Sequence, residues 1–200
     1  MATDLDAGGL ADAGSTGAFA ATMVDAVEKH TGMTQGFRRG HARGLVCRGS
    51  FQATPEVRAF TNAEHFRGDV VPVQARLSNA SGNAWAPDRA SPRVGRPVGL
   101  GVRFQLPSGA VASWAAVSLP AFPARTPEDF LRLTRAQNPS GQPNPFKMIA
   151  YVLSRPSAFA ALKAVATLPP VQSFAYTRFN GIHTYYLVSE HGIKQPFRYG

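Results

Sequence analysis

Cysteine is nearly absent from this chain: Cys47 is the single one. That excludes an internal disulfide and a thiolate zinc site. On an expected strand, Cys47 reads as a small buried apolar side chain rather than a nucleophile. Long apolar runs are lacking too, none approaching the ~18 residues that a membrane-spanning helix needs. No membrane partner is therefore expected. Acidic residues are few, 12 against 21 Lys and Arg, which leaves a net charge of +9. Such a surplus invites nucleic acid or an anionic surface. The arginines are spread singly, however (Arg38, Arg48, Arg58, Arg67, Arg76, Arg89 and Arg103), with no basic tract interleaved with stacking aromatics. No nucleic-acid partner is expected, and arginines facing the anionic groups of a small ligand account for the charge equally well. The first residues carry Asp4 and Asp6 where a secretory signal places positive charge. The expected compartment is the cytoplasm.

What is present reads as one globular domain, with 44% apolar and 16% charged residues over 200 positions. Residues 1–16 form an expected flexible leader and 17–200 the domain. Helical spacing of Phe19, Met23, Val24 and Val27 predicts a helix over Gly17–His30. Strands are predicted at Leu45–Gln52 and Val70–Ser78, the second with Val71, Val73, Ala75 and Leu77 on one face. Pro55–Phe66 reads as a turn-rich link, and Asn79–Pro97 as a long loop of the kind that often serves function. Gly99–Leu106 and Val111–Leu119, joined by Pro107-Ser108-Gly109-Ala110, form an expected hairpin. Helical patterns follow at Glu128–Ala136, Asn144–Leu153 and Ser157–Thr167. The chain closes with expected strands Ser173–Thr177, Ile182–Ser189 and Lys194–Tyr199, the last two around a tight turn at Glu190-His191-Gly192. Hairpins with segregated helices predict an α+β or barrel architecture, not a doubly wound sheet. Gly99-Leu100-Gly101 begins inside a strand and lacks a third glycine, so it is no dinucleotide fingerprint.

The densest chemical constellation is Arg38-Arg39-Gly40-His41-Ala42-Arg43-Gly44. Glycines bracketing a histidine ahead of a strand fit a general acid–base held at a pocket wall. They fit a loop histidine in a basic turn as well, and spacing alone leaves both open. His30, His41, His65, His183 and His191 show no close pairing on one helical face, so no metal site is read from them.

The run R-x-x-H-A-x-G, Arg38 to Gly44, resembles the distal haem motif of catalases. Further segments follow in that family's order: Ala75-Arg76-Leu77-Ser78, Gly99 to Phe104, Leu119 through Phe130, and Asn180-Gly181-Ile182-His183-Thr184. The resemblance spans roughly residues 30–200. It looks more like the short catalase-related peroxidases than the large catalases. It implies a catalase-like antiparallel barrel, with about six of its eight strands present, and haem b as cofactor. By the same resemblance His41 moves the peroxide proton, Ser78 fixes its tautomer, and Arg38 and Arg76 pair with haem propionates. Phe122 and Phe130 pack the porphyrin and line the peroxide channel. The implied partners are a peroxide and a small organic reductant, with a homodimer as the assembly.

Three departures from the family pattern stand out. Val117 or Ser118 occupies the place of the distal asparagine, which argues for peroxidase over dismutation and makes Ser118 a candidate peroxide-orienting hydroxyl. Gly40 replaces a branched apolar residue beside the histidine, which widens the pocket toward organic hydroperoxides. None of Tyr151, Tyr176, Tyr185, Tyr186 and Tyr199 lies in the R-x-F-x-Y-type context of the family's iron ligand. That ligand is expected C-terminal to Gly200, and no metal ligand is assigned here. Besides a haem peroxidase, two further readings follow. One is rearrangement of a fatty-acid hydroperoxide on the same fold, and the other is a haem-free partial barrel holding an apolar ligand or a partner chain.

Overall fold

A computed structural model describes residues 13–30, 33–91, 93–137 and 143–200. Helix α1 (Ala13–His30) begins ahead of the expected Gly17, and the rest of the expected leader, 1–12, lies outside the described residues. Six strands follow: β1 (Gly44–Phe51), β2 (Val71–Asn79), β3 (Arg89–Ser91), β4 (Val94–Gly95), β5 (Val98–Gln105) and β6 (Val111–Val117). Then come α2 (Pro127–Arg135), α3 (Pro145–Ser154), α4 (Phe159–Ala166) and the hairpin β7 (Tyr185–Val188) and β8 (Lys194–Phe197). This is the expected α+β arrangement. The main sheet has the order β1-β2-β5-β6, antiparallel throughout, while β3–β4 and β7–β8 are separate ribbons. The sheet therefore does not close into the expected barrel. β1 lies at its edge and is exposed along all but Phe51. Cys47 is accordingly exposed, not buried as its strand position predicts.

The alternating pattern of β2 places Val71 and Val73 on the face that carries Phe104 of β5 and Trp114 of β6. Against it lies the Pro55–Phe66 link, folded as two 3₁₀ turns, Pro55–Ala59 and Glu64–Phe66. The result is an aromatic cluster of Phe51, His65, Phe66, Phe104 and Trp114. Ring centroids lie 4.3 Å apart for His65–Phe66 and 5.1 Å for Phe104–Trp114. Burying each large ring contributes about 1.5–3 kcal/mol, so this cluster fixes the register of the central strands. The β5–β6 connection turns through Gly109 at φ +84°, a conformation that glycine adopts without a side-chain clash.

A second core forms where Leu133 of α2, Tyr151 of α3 and Ala158 meet, with Met148 and Leu162 packed on them. Pro127 occupies the first turn of α2, as expected, behind a Thr126 hydroxyl that accepts from the Asp129 N–H at 3.2 Å. Asn144 caps α3 in the same way. Three sequence expectations need correction. Ser173–Thr177 is a 3₁₀ turn rather than a strand, because the Ser173 hydroxyl accepts from the Ala175 N–H and the Thr177 hydroxyl donates to the Ser173 carbonyl. The Asn79–Pro97 loop contains the β3–β4 ribbon. The terminal hairpin is shorter than expected at both strands, though its Glu190–Gly192 turn stands, with Gly192 at φ +75°.

Candidate active site

Strand pairing assembles the site. Ser78 pairs with Gly44 on one side and with Gly99 on the other, while Arg76 pairs with Val46 and Gly101. Gly99 and Gly101 in turn face Val117 and Ala115 on β6. Directly paired residues share a face, so these side chains stand together, opposite the aromatic cluster. The face is made mostly of small residues, and Val46, Gly101 and Ala115 are open to solvent.

His41 projects onto this face from the loop before β1. Its Nδ1 lies 3.0 Å from the hydroxyl of Ser78, which is buried. The ring rests on the backbone of Gly99: a Cβ at that position would come within 2.7 Å of Cε1 and 3.0 Å of Nδ1. Only glycine permits that approach. His41 has φ +54°, making it the one non-glycine residue in the left-handed region among the described residues. That conformation costs on the order of 1–2 kcal/mol for an L-residue and persists where neighbours over-determine it. Here Arg76 Nη2 donates to the carbonyls of both His41 (2.7 Å) and Ala42 (3.2 Å). The Ala42 N–H donates to the Ser81 carbonyl at 2.9 Å. Gly44 leaves the room for this guanidinium, since a Cβ there would lie 2.6 Å from Arg76 Cζ.

Burial lowers the His41 pKa from its ordinary value, and the positive charges of Arg76 and then Arg38 push the same way. Its contact with Ser78 acts in the opposite sense. The ring is thereby held neutral in the physiological range, with one nitrogen engaged by Ser78 and the other left for a substrate proton. The supporting loop is tied down separately. Fully buried Asn79 donates to Asp88 Oδ1 at 3.0 Å and accepts from the Ser81 N–H at 3.1 Å. Arg43 also donates to Asp88, at 2.8 Å, and Arg39 pairs with Glu28 of α1.

The residues expected to form the site are only partly united. His41, Ser78 and Arg76 meet directly, and Arg38 is exposed but near enough for its charge to reach both His41 and Arg76. Phe122 and Phe130 pack on each other, with centroids 5.7 Å apart. No ring contact joins either to His41 among the described residues. Ser118 accepts from the Val98 N–H at 3.1 Å, so one lone pair of its hydroxyl is committed to the backbone. Of the two residues in the asparagine's place, Val117 stands on the His41 face, opposite Gly99. Sequence reasoning missed Gly99 as a positioning residue, although a glycine inside a strand is itself a sign of close approach. It also missed the bonds from Arg76 to the His41 loop.

Among the described residues, no group of three or more His, Cys, Asp or Glu side chains is placed to hold a metal, and no helix is long and apolar enough to cross a membrane. Tyr151 and Tyr199 direct their hydroxyls to the carbonyls of Pro123 (2.8 Å) and Ala115 (2.7 Å). Neither is a free iron ligand.

A model of the catalase family matches residues 12–199. The chain is 33% identical over 187 residues to a catalase-related peroxidase of Synechococcus elongatus, covering 91% of this chain and 54% of that protein. It is 32% identical over 177 residues to a catalase-related peroxidase of Mycolicibacterium paratuberculosis, covering 88% and 55%. The chain thus spans about half the length of these relatives. Among solved structures, a bacterial catalase superposes with a TM-score of 0.66 at 18% identity, over 99% of this chain and 37% of the catalase. Catalase A of Saccharomyces cerevisiae superposes at 0.68 and 17% identity, over 81% and 34%. The matched span takes in every strand and helix from α1 to β8, including the His41–Ser78 pair, and the chain belongs to the catalase family.

Proposed function

We propose that this chain supplies the peroxide-binding side of a haem-dependent peroxidase, with His41 as its proton-transfer group. The observation that carries the reading is the half-buried His41, paired with buried Ser78 and held neutral on an open face of small residues. Peroxide cleavage asks one group to take a proton from one oxygen and deliver it to the other, and a neutral imidazole performs both halves. With Nδ1–H donating to Ser78, Nε2 is the atom that accepts and returns the proton.

The residues present suit one face of a porphyrin. Val46, Gly101, Ala115 and Val117 form a shallow apolar shelf where a Cβ on Gly101 would meet nothing within 4 Å. Arg38 and the unbonded nitrogens of Arg76 are the groups that would hold propionates, and Phe122 with Phe130 would close the apolar edge. Bound haem supplies the electrons for breaking the O–O bond. The chain's own part is to hold the peroxide and move its proton at Nε2. A Cβ on Gly40 would likewise meet nothing within 4 Å, which leaves space beside His41 for an organic hydroperoxide.

Stopped-flow spectra of the haem-loaded protein, mixed with hydrogen peroxide and with an alkyl hydroperoxide, test this. His41→Ala should keep the haem absorbance and lose at least 100-fold of the peroxide rate, the order that acid–base catalysis contributes (about 10²–10⁴). An unchanged rate would remove His41 from the mechanism. The open space at Gly40 also favours a second reading, rearrangement of a fatty-acid hydroperoxide. Product forming without any reductant distinguishes it, and with a reductant required it fails.

A further inference from the structure

A cleft of about 450 Å³ lies between α1, α2 and α3 and shares no lining residue with the His41 site. Lys29 and His30 from α1, Arg135 from α2 and Lys147 from α3 line it, with Asp25 as the only acid among the described residues of its lining. Among the described residues, Lys29, Arg135 and Lys147 make no ion pair. Lys29, His30 and Arg135 stand in last helical turns, where a cation is favourable on helix grounds alone. Lys147 stands in the first turn of α3, which holds no acidic residue and where the helix dipole disfavours a cation. Helix stability therefore does not account for it, whereas an anion in the cleft does. His30 Nδ1 donates to the Gln137 carbonyl at 2.9 Å, which fixes the ring. The Thr22 hydroxyl is committed to the Ala18 carbonyl.

We infer that this cleft binds a small organic phosphate monoester. Three lysine and arginine charges against one carboxylate leave an excess of two, matching the about −1.5 to −2 of a phosphate monoester near neutral pH. The cleft is also larger than inorganic phosphate requires and falls within the usual range for small-molecule sites, about 300–1,000 Å³. Lys29, Arg135 and Lys147 take the oxygens of the phosphate. This site is independent of haem and of the peroxide reaction.

Phenyl phosphate titrated into the ¹⁵N-labelled chain tests the inference, with inorganic phosphate and the monoanion benzenesulfonate as comparisons. The expected result is saturable binding of one phenyl phosphate per chain, with amide shifts confined to 22–30 and the neighbourhoods of Arg135 and Lys147. Affinity should be about tenfold weaker for each comparison anion, and weaker by about tenfold or more for the double variant Arg135→Gln/Lys147→Gln. The control Arg48→Gln, on β1 and outside the cleft lining, should bind as the parent does. Equal affinity for inorganic phosphate would overturn the assignment to an ester. Shifts spread over all exposed arginines, or a double variant that binds undiminished, would overturn the site.

Discussion

Replacing Gly99 by alanine probes the site through a single atom. The added Cβ would lie 2.7 Å from His41 Cε1 and 3.0 Å from Nδ1, where carbon contacts settle at about 3.5–4.0 Å. The imidazole must therefore retreat by about 1 Å, since the methyl is anchored to a central strand paired on both sides. The His41–Ser78 contact, 3.0 Å in the parent, then stretches to or past the limit of a hydrogen bond. Losing that bond removes about 1 kcal/mol, and forcing a methyl into a filled site adds about 1–3 kcal/mol. For a chain of this size, each kcal/mol lowers the melting temperature by about 2–4 °C. Long-range ¹H–¹⁵N spectra read both ring nitrogens directly. The parent should show one tautomer with the proton on Nδ1, and Gly99→Ala a mixture. In the haem-loaded protein the same variant should lower the peroxide rate by about 100-fold, the usual order for a misplacement of 1 Å. Parent-like ring shifts together with a parent-like melting temperature would refute the argument that Gly99 seats the histidine.

Other expectations follow from the same geometry. Ser78→Ala should shift His41 toward a tautomer mixture, as Gly99→Ala does, but without the steric loss of stability beyond about 1 kcal/mol, measured by the same spectra and by denaturant unfolding. Arg76→Gln removes the donor that holds two loop carbonyls, and should cost about 1–3 kcal/mol and raise the exchange rate of the Ala42 amide; unchanged exchange would contradict the clamp. His65 is buried among aromatic rings with neither ring nitrogen hydrogen-bonded, and burial lowers its pKa from 6.5. The unfolded chain binds the proton more readily, so stability is complete above about pH 6.5 and falls as the solution is acidified toward the lower folded pKa. His65→Phe should flatten that loss in urea titrations, and a His65→Phe chain with undiminished acid sensitivity would assign the loss elsewhere.

Much of this architecture was legible in the residues because local chemistry and tertiary structure agree. Alternation in Val71–Leu77, the Pro107–Ala110 turn and Pro127 behind Thr126 each declare their element locally. The Ser173–Thr177 turn was not legible as such, because its apolar and aromatic residues suit a strand while the Ser173 and Thr177 hydroxyls bond the local backbone instead. Cys47 was misplaced because burial depends on which strand ends at the edge, a property of the whole sheet. At the site, the R-x-x-H-A-x-G run located His41 and the resemblance supplied Ser78 as its partner. A glycine inside a strand signals close approach, but the partner of Gly99 lies 58 positions away in sequence, and no local pattern names it.

The central claim is that the His41 face receives a porphyrin, and metal-free protoporphyrin IX titrated into the ¹⁵N-labelled chain tests it without calling on an iron ligand. Amide shifts that saturate and cluster on Arg38, His41, Arg76, Gly101, Phe122 and Phe130 are the predicted result. Shifts confined to Val102, Trp114 and Phe179 on the opposite side of the sheet, or no saturable shift at all, would contradict it.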